Sequence, residues 1–155
     1  MSIDDLKGLM DEFDPAVLLP DLGTMMGKIE LIMRIAVVIG PVILLVLGLI
    51  YLFAPPKEAN HHFGYRCFFG MGSVDAWRFT QRLAGLIWSV LGLFLAVIML
   101  IVSGGFAGKE IMDLLWLAAK CVIWEAGLVA VSCLIINTAA AIKFNARGER
   151  RTFKK

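Results

Sequence analysis

Three long apolar stretches constrain this chain more than any other feature. Residues 35–54 and 83–102 are each 20 residues without a charge, and residues 121–142 are 22 with one acid, Glu125. A helix rises about 1.5 Å per residue, so roughly 20 apolar residues cross a hydrocarbon core of about 30 Å. Together the stretches take up 40% of the 155 residues. None alternates with period two, which excludes a β-barrel. The hydrophobic share of 59% and the charged share of 18% lie well outside the soluble norm of about 45–50% and 25%. The expected fold is an all-α integral membrane helical bundle with three transmembrane helices and an N-terminal amphipathic helix. A net charge of +2, with no basic run interleaved with aromatics outside the last few residues, points away from nucleic acid. Three cysteines without a C-x-x-C pair, and five prolines, exclude a disulfide scaffold and disorder.

The segment before the first span has its own pattern. It carries seven acids against Lys7 and Lys28, unlike the basic start of a cleavable signal, so the first span is expected to remain as an anchor. Ile3, Leu6, Leu9, Met10 and Phe13 line one helical face. Ser2 is placed to cap that helix and Pro15 to stop it, with Pro20 and Gly23 marking a linker. Such a helix rests on the outer leaflet or a partner subunit, or packs on its own spans. The organisation expected is an extracytoplasmic amphipathic segment at 1–30, a transmembrane domain at 31–142 and a basic cytoplasmic tail at 143–155.

Orientation follows from Lys and Arg in the flanks. The first connection and the tail carry Lys57, Arg66, Arg78, Arg82, Lys143, Arg147, Arg150, Arg151, Lys154 and Lys155. The other side has Lys7, Lys28, Arg34, Lys109 and Lys120. That bias of 10 to 5 places the first connection and C-terminus in the cytoplasm, and the N-terminus outside, in a bacterial inner membrane.

Small residues mark faces where helices approach closely in lipid. Gly85, Ser89, Gly92 and Ala96 form one stripe on helix two. Ala126, Ala130, Cys133, Asn137 and Ala141 form another on helix three. They predict an antiparallel hairpin of helices two and three with Asn137 buried against helix two. The competing use is a homo-oligomer through the same stripes. Pro41 is expected to bend helix one.

Residues with chemistry are few. Glu125 is the one ionisable residue well inside a span, which makes it a functional candidate. Against a relay or transport role stand two plainer readings: a residue near the outer boundary, or an ion pair with Arg34. Trp116, Lys120 and Trp124 read as an interface anchor. His61, His62 and Cys67 match no zinc spacing, and Gly70-Met71-Gly72-Ser73 follows no strand and is too short for a phosphate loop. No nucleophile elbow or metalloprotease motif is present, and no paired carboxylates fall in a plausible cleft. The expectation is no catalytic residue, no metal, no cofactor and no enzyme.

The most unusual text lies between helices one and two. Asn60-His-His-Phe-Gly-Tyr-Arg-Cys is followed by Asp75-Ala-Trp-Arg-Phe-Thr-Gln-Arg82. It resembles the SdpI-like family of bacterial membrane proteins, named for immunity against a sporulation-delaying peptide toxin. Asn60, Phe63, Gly64, Tyr65, Arg66, Asp75, Trp77 and Arg82 stand at the family's positions. Cys67 replaces the usual Thr, Phe68 stands where Pro is usual, and Gln81 replaces Asn. The resemblance spans roughly residues 35–105, with helix three fitting in kind only. The N-terminal 30 residues and the tail have no counterpart. The resemblance implies a multi-spanning immunity-type protein without a cofactor, acting on a membrane-active peptide by direct interaction in the bilayer.

The same residues make sense without the family. Gly64 permits a tight turn, Tyr65 and Trp77 suit a membrane interface, and Arg66 offers a planar fork to phosphate, carboxylate or carbonyl groups. The motif then either fixes the loop on its own bundle, recognises another protein, or binds headgroups. The partners expected are membrane lipids with either a peptide toxin or a partner membrane subunit, and no nucleic acid. The alternative function is a small accessory or structural subunit of a larger membrane complex.

Overall fold

The computed structural model describes residues 22–57 and 63–151. Three helices make up the fold: α1 (Leu22–Phe53), α2 (Val74–Gly104) and α3 (Ile111–Lys143). All three are long and apolar enough to cross a membrane, so the protein is an all-helical membrane bundle. The amphipathic pattern at 3–13 lies outside the described residues, as do Asn60, His61 and His62.

The helices are 32, 31 and 33 residues long, well beyond the apolar stretches that announce them. Hydropathy marks where a helix meets hydrocarbon, whereas backbone hydrogen bonding continues until a cap or turn ends it. Ser73 caps α2, its hydroxyl accepting from the Ala76 N–H at 3.1 Å. The α2–α3 turn uses Gly108 at φ 70°. Gly23, expected in a linker, is inside α1, and the helix runs unbroken through Pro41.

α1 and α2 pack antiparallel through the larger interface; α3 leans on both. The small stripe of α2 is buried as expected, but it faces α1 rather than α3. A Cβ on Gly92 would fall 2.5 Å from the Leu45 backbone nitrogen, and one on Gly85 would fall 2.6 Å from that of Leu52. Only glycine admits backbones this close. Nor does the small stripe of α3 form its contact face. The buried residues are Leu114, Ala118, Cys121, Glu125, Ser132, Ile136 and Ala140, a row about 100° round the helix from the expected one. Ser132 on this row accepts from Trp88 Nε1 at 3.1 Å, tying α3 to α2.

Two clusters close the bundle at its ends. Val37, Met99, Phe106, Leu114, Ala118 and Cys121 pack near the α2–α3 turn. Tyr51, Tyr65, Ala84 and Ile136 pack at the opposite end, beneath the α1–α2 loop. At most 33% of any span's apolar window is buried inside the protein, so most apolar side chains face outward, as lipid requires.

The basic segment after α3 is not a free tail over its described part. Phe144 and Arg150 form an antiparallel bridge, with Arg151 N–H donating to the Lys143 carbonyl at 3.0 Å and Asn145 N–H to that of Glu149 at 2.9 Å. Phe144 is fully buried, and its ring packs 5.6 Å from that of Phe79. The Ser73 hydroxyl donates to the Gly148 carbonyl at 2.7 Å, joining this hairpin to the loop before α2.

Candidate functional site

The loop between α1 and α2 is held at Tyr65 by one side chain from α2. Gln81 is fully buried one turn before Gly85. Its Oε1 accepts from the Tyr65 N–H at 2.8 Å, and its Nε2 donates to the Tyr65 carbonyl at 2.7 Å. A primary amide presents one acceptor and one donor side by side, so it replaces the strand partner that an extended residue would otherwise need. By sequence Gln81 is a departure from the family pattern, which has Asn there. The signal that it was central was its register: it lies four residues from Trp77 and from Gly85, on the inward face.

Tyr65 runs from this clamp to α3. Its hydroxyl lies 2.9 Å from Asn137 Oδ1 and 3.1 Å from the Cys133 carbonyl, and donates its proton between them. Burial pushes the phenol pKa up, and Cys133 adds to the effect, so the O–H remains available as a donor. Asn137 therefore serves the loop and is not buried against α2 as expected. Its side of α3 is rotated away from α2, and Ile136 takes the buried position.

Gly64 and Trp77 complete the inner half. Gly64 has φ 121°, and a Cβ there would lie 2.6 Å from the Trp77 ring. The residue must be glycine on both counts. Trp77 is fully buried, and its Nε1 donates to the Pro56 carbonyl at 2.9 Å. Aromatic rings fill the space below: Tyr65 lies 5.4 Å from Trp88, which lies 5.8 Å from Tyr51. Phe63 meets Tyr51 edge-on at 5.5 Å.

The motif thus divides in two. Gly64, Tyr65 and Trp77 point inward and build the loop. Arg66, Asp75 and Arg82 are exposed on its surface, and the only ion pair among the described residues is Arg34 with Glu30 at 2.6 Å. Asp75 occupies the first turn of α2, where its charge suits the helix dipole. Arg82 lines a basic groove with Arg78, Lys143 and Arg150 around Phe79. Lys143 Nζ stands 3.9 Å over that ring.

Glu125 lies apart from this loop. It is buried, its Oε1 has no hydrogen-bond partner among the described residues, and Arg34 pairs through Nη2 with Glu30 one turn away instead. The Glu125–Arg34 pair, one of the readings open from the sequence, is not formed. Trp116 and Trp124 are 62% and 72% exposed, on the outward side of α3.

A three-span bundle with a clamped loop is the architecture of a small multi-pass helical membrane protein. The SdpI/YfhL family model matches residues 57–141, from the loop through nearly all of α3, and the chain belongs to that family. The match extends past residue 105 into α3, further than the motif alone indicated, and leaves the whole of α1 outside. Membership supports an immunity-type membrane protein in general terms. No curated protein and no solved structure gives a match to this chain.

Proposed function

We propose that this protein confers immunity against a membrane-active peptide by contacting it in the bilayer, or by preventing its assembly there. The observation that carries this reading is the family match over residues 57–141, which contains the whole Tyr65–Gln81 clamp. The clamp gives the reading a physical basis. A loop fixed by two backbone hydrogen bonds presents Arg66 in one place, with its fork unengaged by any acid among the described residues. The protein acts without catalysis or cofactor. It sits in the inner membrane of a bacterium, with the loop and the C-terminal hairpin in the cytoplasm and the N-terminus outside, as the Lys/Arg bias favours.

Expression in a peptide-sensitive strain tests this function. Wild-type protein is expected to raise tolerance to a membrane-active peptide, and Arg66→Ala to lose most of that protection while membrane abundance holds. Unchanged tolerance across candidate peptides overturns the reading. Labelling of a cysteine introduced at Arg150 only after permeabilisation is the expected result for the orientation.

A further inference from the structure

We infer that the cleft between α1 and α3 is a laterally open intramembrane groove that receives an apolar peptide helix bearing one protonated amine, with Glu125 as the amine's partner. The inference rests on the immunity reading for its class of occupant, and on the groove's geometry for everything else. The groove has a volume of about 480 Å³, within the roughly 300–1,000 Å³ of ligand-sized sites. Its walls are almost wholly apolar, with Pro41, Leu44 and Leu95 at its back. Gly40, Ala126 and Ala130 also line it, and all three are exposed. Small residues there let another helix bring its backbone close. This accounts for the part of the α3 small stripe that does not meet α2.

Glu125 is the one polar side chain in that lining. It is 8% exposed, and no hydrogen bond or ion pair reaches it from the described residues. Oε2 lies against Gly40, 3.0 Å from where a Cβ would stand. An acid placed among hydrocarbon is costly and is normally paired. Among the described residues no cation pairs with it: Arg34 bonds Glu30, and Lys120 is exposed on α3 more than a turn away. A cation supplied by the incoming segment matches the carboxylate in charge, and its apolar flanks match the walls.

The test uses the full-length protein in phosphatidylcholine vesicles. Two probe peptides are compared by energy transfer: a leucine helix of about 20 residues with one central lysine, and its twin with leucine at that position. The lysine peptide is expected to bind about tenfold more tightly than its twin. Glu125→Gln removes the charge while keeping the shape, and Ala130→Leu fills the groove while keeping the acid. Both variants are expected to abolish the preference. Equal binding of the two peptides by wild-type protein, or a preference that survives Glu125→Gln in correctly inserted protein, overturns the inference. Equal binding combined with intact protection in cells removes the groove and leaves the immunity reading standing. A Glu125-dependent preference without any protection removes the immunity reading alone.

Discussion

Gln81 bonds both the N–H and the C=O of one loop residue, and so the Tyr65 backbone depends on a single amide. Gln81→Leu keeps the bulk but leaves two buried backbone groups unsatisfied, at about 1–3 kcal/mol each. The expected outcome is a clearly lower unfolding midpoint in detergent, together with faster proteolysis between residues 57 and 73. Unchanged midpoint and digestion would mean that water or lipid serves those groups equally well. Arg66 next door is expected to behave in the opposite way, with little effect on stability when truncated, because its side chain is exposed and pairs with no acid among the described residues. The motif's residue types were readable along the chain. Which of them point inward was not, since an extended loop has no period that separates the two sides.

At the level of elements, the fold turns on how closely α1 and α2 approach. Gly92→Ala adds one methyl against the Leu45 backbone, and overpacking of that kind costs about 1–3 kcal/mol. Gly127→Ala, in the same kind of apolar helix, meets nothing within 4 Å. There the better helix former gains about 0.5–1 kcal/mol. Thermal unfolding of the two variants side by side should therefore shift in opposite directions. Destabilisation by both would place a contact on α3 that this arrangement lacks. The small stripe of α2 was correctly read as an interface but was assigned to the wrong neighbour. Residue size shows that something comes close; it carries no information on which helix does. On α3 size misled outright, because the buried row mixes Leu114, Ile136 and Glu125 with small residues.

For the molecule as a whole, the loop end is a joint assembly of three chain segments: the α1–α2 loop, the start of α2 and the hairpin after α3. Ser73 links them, accepting from Ala76 and donating to Gly148. Ser73→Ala removes both bonds, a loss of about 0.5–2 kcal/mol for a helix cap alone. It is expected to expose the 144–151 hairpin to protease before the helices unfold. Digestion of loop and hairpin at the wild-type rate would show that Phe144 burial holds them without Ser73.

Hydrocarbon explains what could be learned without coordinates. Apolar length is a one-dimensional quantity, so three spans, their order and the family-bearing loop all follow from the residues in a row. The clamp of Gln81 on Tyr65, the choice of α1 as the partner of α2, and the unpaired carboxyl of Glu125 are different in kind. Each depends on how one helix is rotated about its axis relative to another. Lipid solvates every apolar face equally well, so only side-chain fit between the packed helices selects that rotation.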